Sequence, residues 1–130
     1  MTFCRIRTLG ILLSCLTAIS ISTQMIVEAN ETKPLSKTYK TIGTTQLNLI
    51  LYGVQDPVTG PPKPAIVFFF GGGWRSGSPR QFEHHARYLA SRGMIGITAD
   101  YRVSSRHRSK ALQSVQDAKS AIRWVRENAS

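Results

Sequence analysis

Polar and apolar positions divide this chain into two alternating runs, followed by solid apolar runs separated by helically spaced ones. Residues 38–42 and 46–54 read as strands, the second with Leu47, Leu49 and Leu51 alternating against Gln46, Asn48 and Ile50. Gly43-Thr44-Thr45 between them predicts a hairpin turn. Prolines and Gly60 make 56–64 a loop. Residues 65–70, Ala-Ile-Val-Phe-Phe-Phe, are apolar throughout, as a central strand covered on both faces requires. Gly71, Gly72, Gly73 and Trp74 follow.

A helix then opens with clear signals. Ser78 is placed to cap it, Pro79 suits its first position, and Gln81 completes a capping box. Phe82, Ala86, Leu89 and Ala90 make its apolar face, and Gly93 stops it. Residues 94–99 form a second short buried strand that ends at Asp100-Tyr101-Arg102. A polar loop leads to a helix over 110–128, with Leu112, Val115, Ala118, Ile122 and Val125 on one side. Hairpin, strand, helix, strand, helix predicts an α/β fold with a mostly parallel sheet, right-handed crossovers and an antiparallel N-terminal hairpin.

The first 29 residues carry a different pattern. Arg5 and Arg7 precede the apolar stretch 11–21, and Val27-Glu28-Ala29 offers a cleavage site, so 1–29 reads as a signal peptide. The stretch is too short and polar for a stable membrane span. Leu12-Leu13-Ser14-Cys15 resembles a lipobox, which makes anchoring at Cys15 the second choice after secretion or periplasmic release. Residues 30–37 then form a flexible mature N-terminus, and 38–130 the folded domain. Cys4 and Cys15 both lie in the signal, so the mature part has no thiol for a disulfide or a metal.

Charge changes the picture only slightly. There are 17 Lys and Arg against 7 Asp and Glu, a net +10. Basic residues are spread along the chain apart from Arg102, Arg106, Arg108 and Lys110, and no aromatic residues interleave with that cluster. Nucleic acid is not an expected partner.

The chemistry sits at the glycines. A buried strand that ends in side-chain-free backbone can aim N–H groups at a developing negative charge. Strand, glycines, Trp74, a capped helix, and a strand ending in Asp100-Tyr101-Arg102 together resemble the N-terminal part of an α/β-hydrolase-fold esterase or lipase. The likeness is to secreted bacterial acetyl-xylan and feruloyl esterases, and it extends over 37–130. Residues 117–126, Asp-Ala-Lys-Ser-Ala-Ile-Arg-Trp-Val-Arg, resemble the helix before the nucleophile strand of that family.

The resemblance implies ester hydrolysis through an acyl-serine. The backbone N–H groups of Gly72 and Gly73 would form the oxyanion hole, Gly71 the tight turn, and Trp74 would pack the loop or line the acyl pocket. Phe70 stands where the family usually has His. No serine has Gly at both −2 and +2, so the nucleophile, acid and base are expected outside these residues, in a fold truncated before the nucleophile strand. The family's next strand would pair with 65–70, leaving an apolar edge here.

His84 and His85 are read as surface or packing residues, and His107 as having no partner. Ser76 and Ser78 are read as turn and cap residues, and Arg102 as a partner for Asp117. No metal and no cofactor is implied. The substrate class is a small-molecule or polysaccharide-linked ester. The alternative is a non-enzymatic, basic, anion- or polysaccharide-binding secreted fragment, in which Arg75 and Arg80 beside the glycines would hold an anion.

Overall fold

The computed structural model of the protein describes residues 33–55 and 60–129. The expected signal, with Cys4 and Cys15, lies outside them.

Four strands make one sheet: β1 (Leu35–Ile42), β2 (Thr45–Tyr52), β3 (Ala65–Phe69) and β4 (Ile95–Ala99), in the order β1-β2-β4-β3. The expected hairpin occupies one edge. β1 pairs antiparallel with β2, β2 antiparallel with β4, and β3 parallel with β4. Gly43 turns the hairpin at φ +57, a left-handed angle that costs glycine little.

β1 begins at Leu35, so residues 35–37 are strand and not flexible tail. Leu35, Ser36 and Lys37 pair with Leu51, Ile50 and Leu49. A lone Leu35 among polar neighbours concealed this, because β1 is an edge strand with a solvated face. A register shift between Thr38 and Lys40 lets the ladder absorb Tyr39. The Tyr39 hydroxyl donates to the Asp100 carbonyl at 2.6 Å.

Period-two alternation assigns the two faces. Leu49, Ile97 and Ala99 join Val67 and Phe69 on one face, packed by Ala121, Trp124 and Val125 of α3 (Ala111–Glu127). The opposite face carries α1 (Glu83–Ser91), entered through a single 3₁₀ turn, Pro79–Phe82. Phe82 stacks on Phe68 with ring centroids 5.2 Å apart. β4 is thus the strand covered on both sides, which explains its mostly apolar residues and the burial even of Thr98. β3 lies at an edge among the described strands and is only half-buried, the apolar edge expected where the family's next strand would pair.

α3 presents a different face from the one its apolar spacing predicts. Its buried residues are Ser114, Asp117 and Ala121, while Leu112 is 68% exposed. The cause is electrostatic. Asp117, fully buried, accepts two bonds from the Arg102 guanidinium (2.7 and 2.9 Å), one from the Arg102 amide (3.2 Å) and one from Lys40 Nζ (2.7 Å). Ser114 adds a bond to the Arg102 carbonyl at 2.5 Å. A buried carboxylate must be matched, so these partners set the helix rotation against the pull of Val115 and Ile122. The pairing of Arg102 with Asp117 is as expected. A short helix, α2 (Ser104–His107), occupies what was expected to be loop.

A Cβ on Gly96 would stand 2.4 Å from the Ala86 carbonyl oxygen, so Gly96→Ala should cost about 1–3 kcal/mol in chemical denaturation by forcing α1 off β4. Asp117→Ala should cost about 3–5 kcal/mol by stranding Arg102 and Lys40. Burial pushes the Asp117 carboxyl up, but the bonds from Arg102 and Lys40 more than reverse this and hold it below its ordinary 3.8. Its contribution is therefore fully present above pH 3.8 and lost as pH falls through the lower folded value. Thermal melts across that acid range should show the loss in the wild type and a flatter dependence in Asp117→Asn.

Candidate active site: the glycine loop

The apolar run of β3 carries one residue past the strand to Phe70, 3% exposed, and side chains then stop. Gly72 has φ +137, Gly73 φ +60, and Trp74 itself φ 64. A bulky residue in the left-handed region is a genuine outlier and marks a loop whose shape is imposed by its surroundings. Gly72 is required on two counts, because a Cβ there would lie 2.1 Å from the Ser76 carbonyl oxygen. Gly73 has open space, and only its backbone angle demands glycine.

Several polar main-chain atoms around the turn are occupied. The Phe70 carbonyl accepts the Tyr101 hydroxyl. The Gly71 amide donates to Gln81 Oε1 at 2.6 Å. The Gly72 carbonyl takes the Arg75 and Ser76 amides at 3.1 and 3.4 Å. The carbonyls of Trp74 and Arg75 receive the Ser104 and Ser105 amides at 3.0 and 2.9 Å, and Arg106 reaches the Gly77 carbonyl at 3.4 Å. Among the described residues, the amides of Gly72, Gly73 and Trp74 donate to nothing. The loop is held by its carbonyls and leaves a run of unpaired N–H groups.

Gln81 therefore differs from expectation. No side-chain cap bond forms at Ser78, and the Gln81 amide group reaches back to Gly71 instead of closing a capping box. A 3₁₀ entry replaces the α-helical first turn, and the box needs α geometry.

Aromatic stacking supports the same turn. The Phe70 and Tyr101 rings lie 4.1 Å apart and nearly parallel, with Arg106 5.9 Å above Phe70. Burial pushes the Tyr101 phenol up, keeping it a donor, although Arg106 opposes the shift. Trp74, 46% exposed, meets the Tyr101 ring edge-on at 6.4 Å. With Phe69, Phe70, Tyr101, Val115 and Ile122 it lines an open apolar cavity of about 730 Å³. This is where the apolar stripe of α3 faces.

The other polar candidates are occupied with structure. Asp100 accepts Arg106 at 2.8 Å and its own neighbour's amide at 3.0 Å, and hydrogen bonding to Asp100 pushes the Arg106 guanidinium further up. His84 and His85 are exposed, and His85 contacts only the rings of Phe68, Phe82 and His84. His107, expected to lack a partner, accepts the Val103 amide on Nδ1 at 3.1 Å and so closes the N-terminus of α2. Nothing in the spacing announced α2, so nothing announced that bond. Among the described residues no serine is hydrogen-bonded to a histidine, and no group of three His, Cys, Asp or Glu could hold a metal.

A parallel β3–α1–β4 unit, helices on both faces of the sheet, and a glycine turn at the C-terminal end of β3 are the arrangement expected of the α/β-hydrolase class. The sequence model of the BD-FAE family matches residues 53–130, and the chain belongs to that family of α/β-hydrolase esterases. The thermophilic esterase Est2 of the Planctomycetes species Thermogutta terrifontis, solved with propionate bound, is 50% identical with a TM-score of 0.67, over 74% of this chain and 35% of that one. Esterase LipC of Mycobacterium tuberculosis is 38% identical over 69 residues, 52% of this chain and 16% of its own. Carboxylesterase NlhH of the same species is 33% identical over 75 residues, 57% of this chain and 23% of its own. The chain thus spans about a third of the length of Est2 and less than a quarter of the other two.

Gly72→Ala tests the loop directly. The Ser76 carbonyl cannot yield the space a Cβ needs, so the turn must open. Tyr101 should lose its stack with Phe70, and near-ultraviolet circular dichroism should weaken. An unaltered spectrum would show that the turn tolerates the methyl group.

Proposed function

We propose that the protein takes part in hydrolysis of a carboxylic ester through an acyl-serine intermediate, with the Gly72 and Gly73 amides as oxyanion donors. The observation that carries this reading is the unpaired state of those two consecutive amides, in a turn that is tied to its surroundings through the carbonyls of Phe70, Trp74, Arg75 and Gly77. A tetrahedral intermediate needs two or three N–H donors within about 3 Å of the new oxyanion, fixed before the charge arrives. Gly71 provides the turn, and Trp74 lines the acyl side of the adjoining apolar cavity. Phe70 in the place of the family's usual His removes a hydrogen bond and substitutes a ring stack, which leaves the donors free.

Covalent capture of Est2 by paraoxon and by sarin supports nucleophilic chemistry in the family, since organophosphates mimic the acyl group at a nucleophile. No serine in this sequence has the flanking glycines of a nucleophile elbow, so the nucleophile, acid and base of that mechanism are not assigned to any of these residues. The substrate is a small ester, free or attached to a polysaccharide. Propionate and butyrate bound to Est2 favour a short acyl group. The basic start, apolar stretch and cleavage signature of 1–29 favour secretion or periplasmic release, with anchoring at Cys15 second.

The test is hydrolysis of p-nitrophenyl acetate by the gene product containing this chain. Gly73→Val forces a β-branched residue into a left-handed backbone and should lower kcat about 10²–10³-fold, the cost of one lost oxyanion donor. An unchanged kcat would remove Gly73 from the mechanism.

A further inference from the structure

We infer that Gln81 is a positioning residue for the glycine loop: its side-chain carbonyl takes the Gly71 amide and thereby keeps the next two amides unpaired. The inference rests on the oxyanion reading of Gly72 and Gly73 and deepens it. Three facts carry it. The Gly71 amide and Gln81 Oε1 are 2.6 Å apart, short for an N–H···O bond. Gln81 lies on the 3₁₀ turn, whose Phe82 is stacked on Phe68, so its backbone is tied to β3, the strand that delivers the loop. The opposite side of the same peptide unit is held as well, because the Tyr101 hydroxyl donates to the Phe70 carbonyl.

The Phe70–Gly71 peptide is thus gripped at both its oxygen and its nitrogen. A peptide plane held at both ends cannot rotate, and its orientation fixes where Gly72 starts. Without Gln81 the Gly71 amide has only water on that side, and glycine's wide conformational range lets the plane turn. The Gly72 and Gly73 amides would then wander from a common target. Gln81 touches neither substrate nor oxyanion and acts through Gly71 alone.

Two variants of the full chain separate this role from simple stability. Gln81→Leu keeps the bulk and removes the acceptor, while Gln81→Glu keeps an acceptor on a side chain of the same length. In protein labelled with ¹⁵N-glycine, Gln81→Leu should speed hydrogen exchange of the Gly71 amide about tenfold, as one lost bond implies. It should also move the Gly72 and Gly73 resonances and leave the thermal midpoint unchanged. Gln81→Glu should restore both the exchange rate and the resonances. Unchanged Gly71 exchange in Gln81→Leu, or Gly72 and Gly73 resonances that do not move, would overturn the inference. A lowered thermal midpoint that Gln81→Glu fails to recover would assign Gln81 a structural role and overturn it as well.

Hydrolysis tests the underlying reading separately. In the active gene product Gln81→Leu should lower kcat about tenfold with KM unchanged. A fall in kcat for Gly73→Val with none for Gln81→Leu would overturn the inference while sparing the oxyanion reading. The expected exchange result in Gln81→Leu, with no effect of Gly73→Val on hydrolysis, would remove the oxyanion reading instead.

Discussion

The buried carboxylate of Asp117 organises more of this fold than its size suggests. It joins β1 through Lys40, the segment after β4 through Arg102, and α3 through its own backbone. Removing a carboxylate from water is costly, and only a full set of donors offsets that cost. Asp117 therefore settles which face of α3 meets the sheet. The same bonds hold the start of the 102–108 segment, whose Ser104, Ser105 and Arg106 reach across to the glycine loop. One ion cluster thus sets both the rotation of a helix and the footing of the site.

That footing has a simple logic. The loop is fixed through its carbonyls, by donors from Tyr101, Ser104, Ser105 and Arg106, and through a single amide, by Gln81. Fixing a turn by its oxygens leaves its nitrogens available. Had neighbouring carbonyls taken the Gly72 and Gly73 amides, the same backbone trace would have been chemically inert. The difference between a turn and a candidate site lies in which half of each peptide is paired.

The order of elements and the place of the glycines were legible because they depend on local pattern. Apolar runs give β3 and β4, and Pro79 and Gly93 bound the segment of the 3₁₀ turn and α1 by their own backbone limits. What escaped notice depended on partners distant in sequence. Residues 35–37, Leu-Ser-Lys, became strand only because β2 supplied a register for them. The stripe Leu112, Val115, Ala118, Ile122 has good helical spacing, yet Lys40 and Arg102 turned α3 onto Ser114, Asp117 and Ala121. Gln81 had the spacing of a capping residue, but a 3₁₀ entry freed its side chain for Gly71. Hydrophobic periodicity cannot register a charge that must be matched elsewhere in the fold.

The phenyl ring at position 70 has a consequence for acidity. An imidazole in a loop brace gains or loses a proton near neutrality and switches between donor and acceptor as it does so. Here the supporting groups are a carboxamide, a phenol shifted upward by burial, a guanidinium pushed higher by Asp100, and two main-chain amides. None of them exchanges a proton between mildly acidic and mildly alkaline surroundings. The groups in direct contact with the turn thus keep their donor and acceptor roles on both sides of neutrality, and the imidazole of His107 stands one step back, on the Val103 amide at the start of α2.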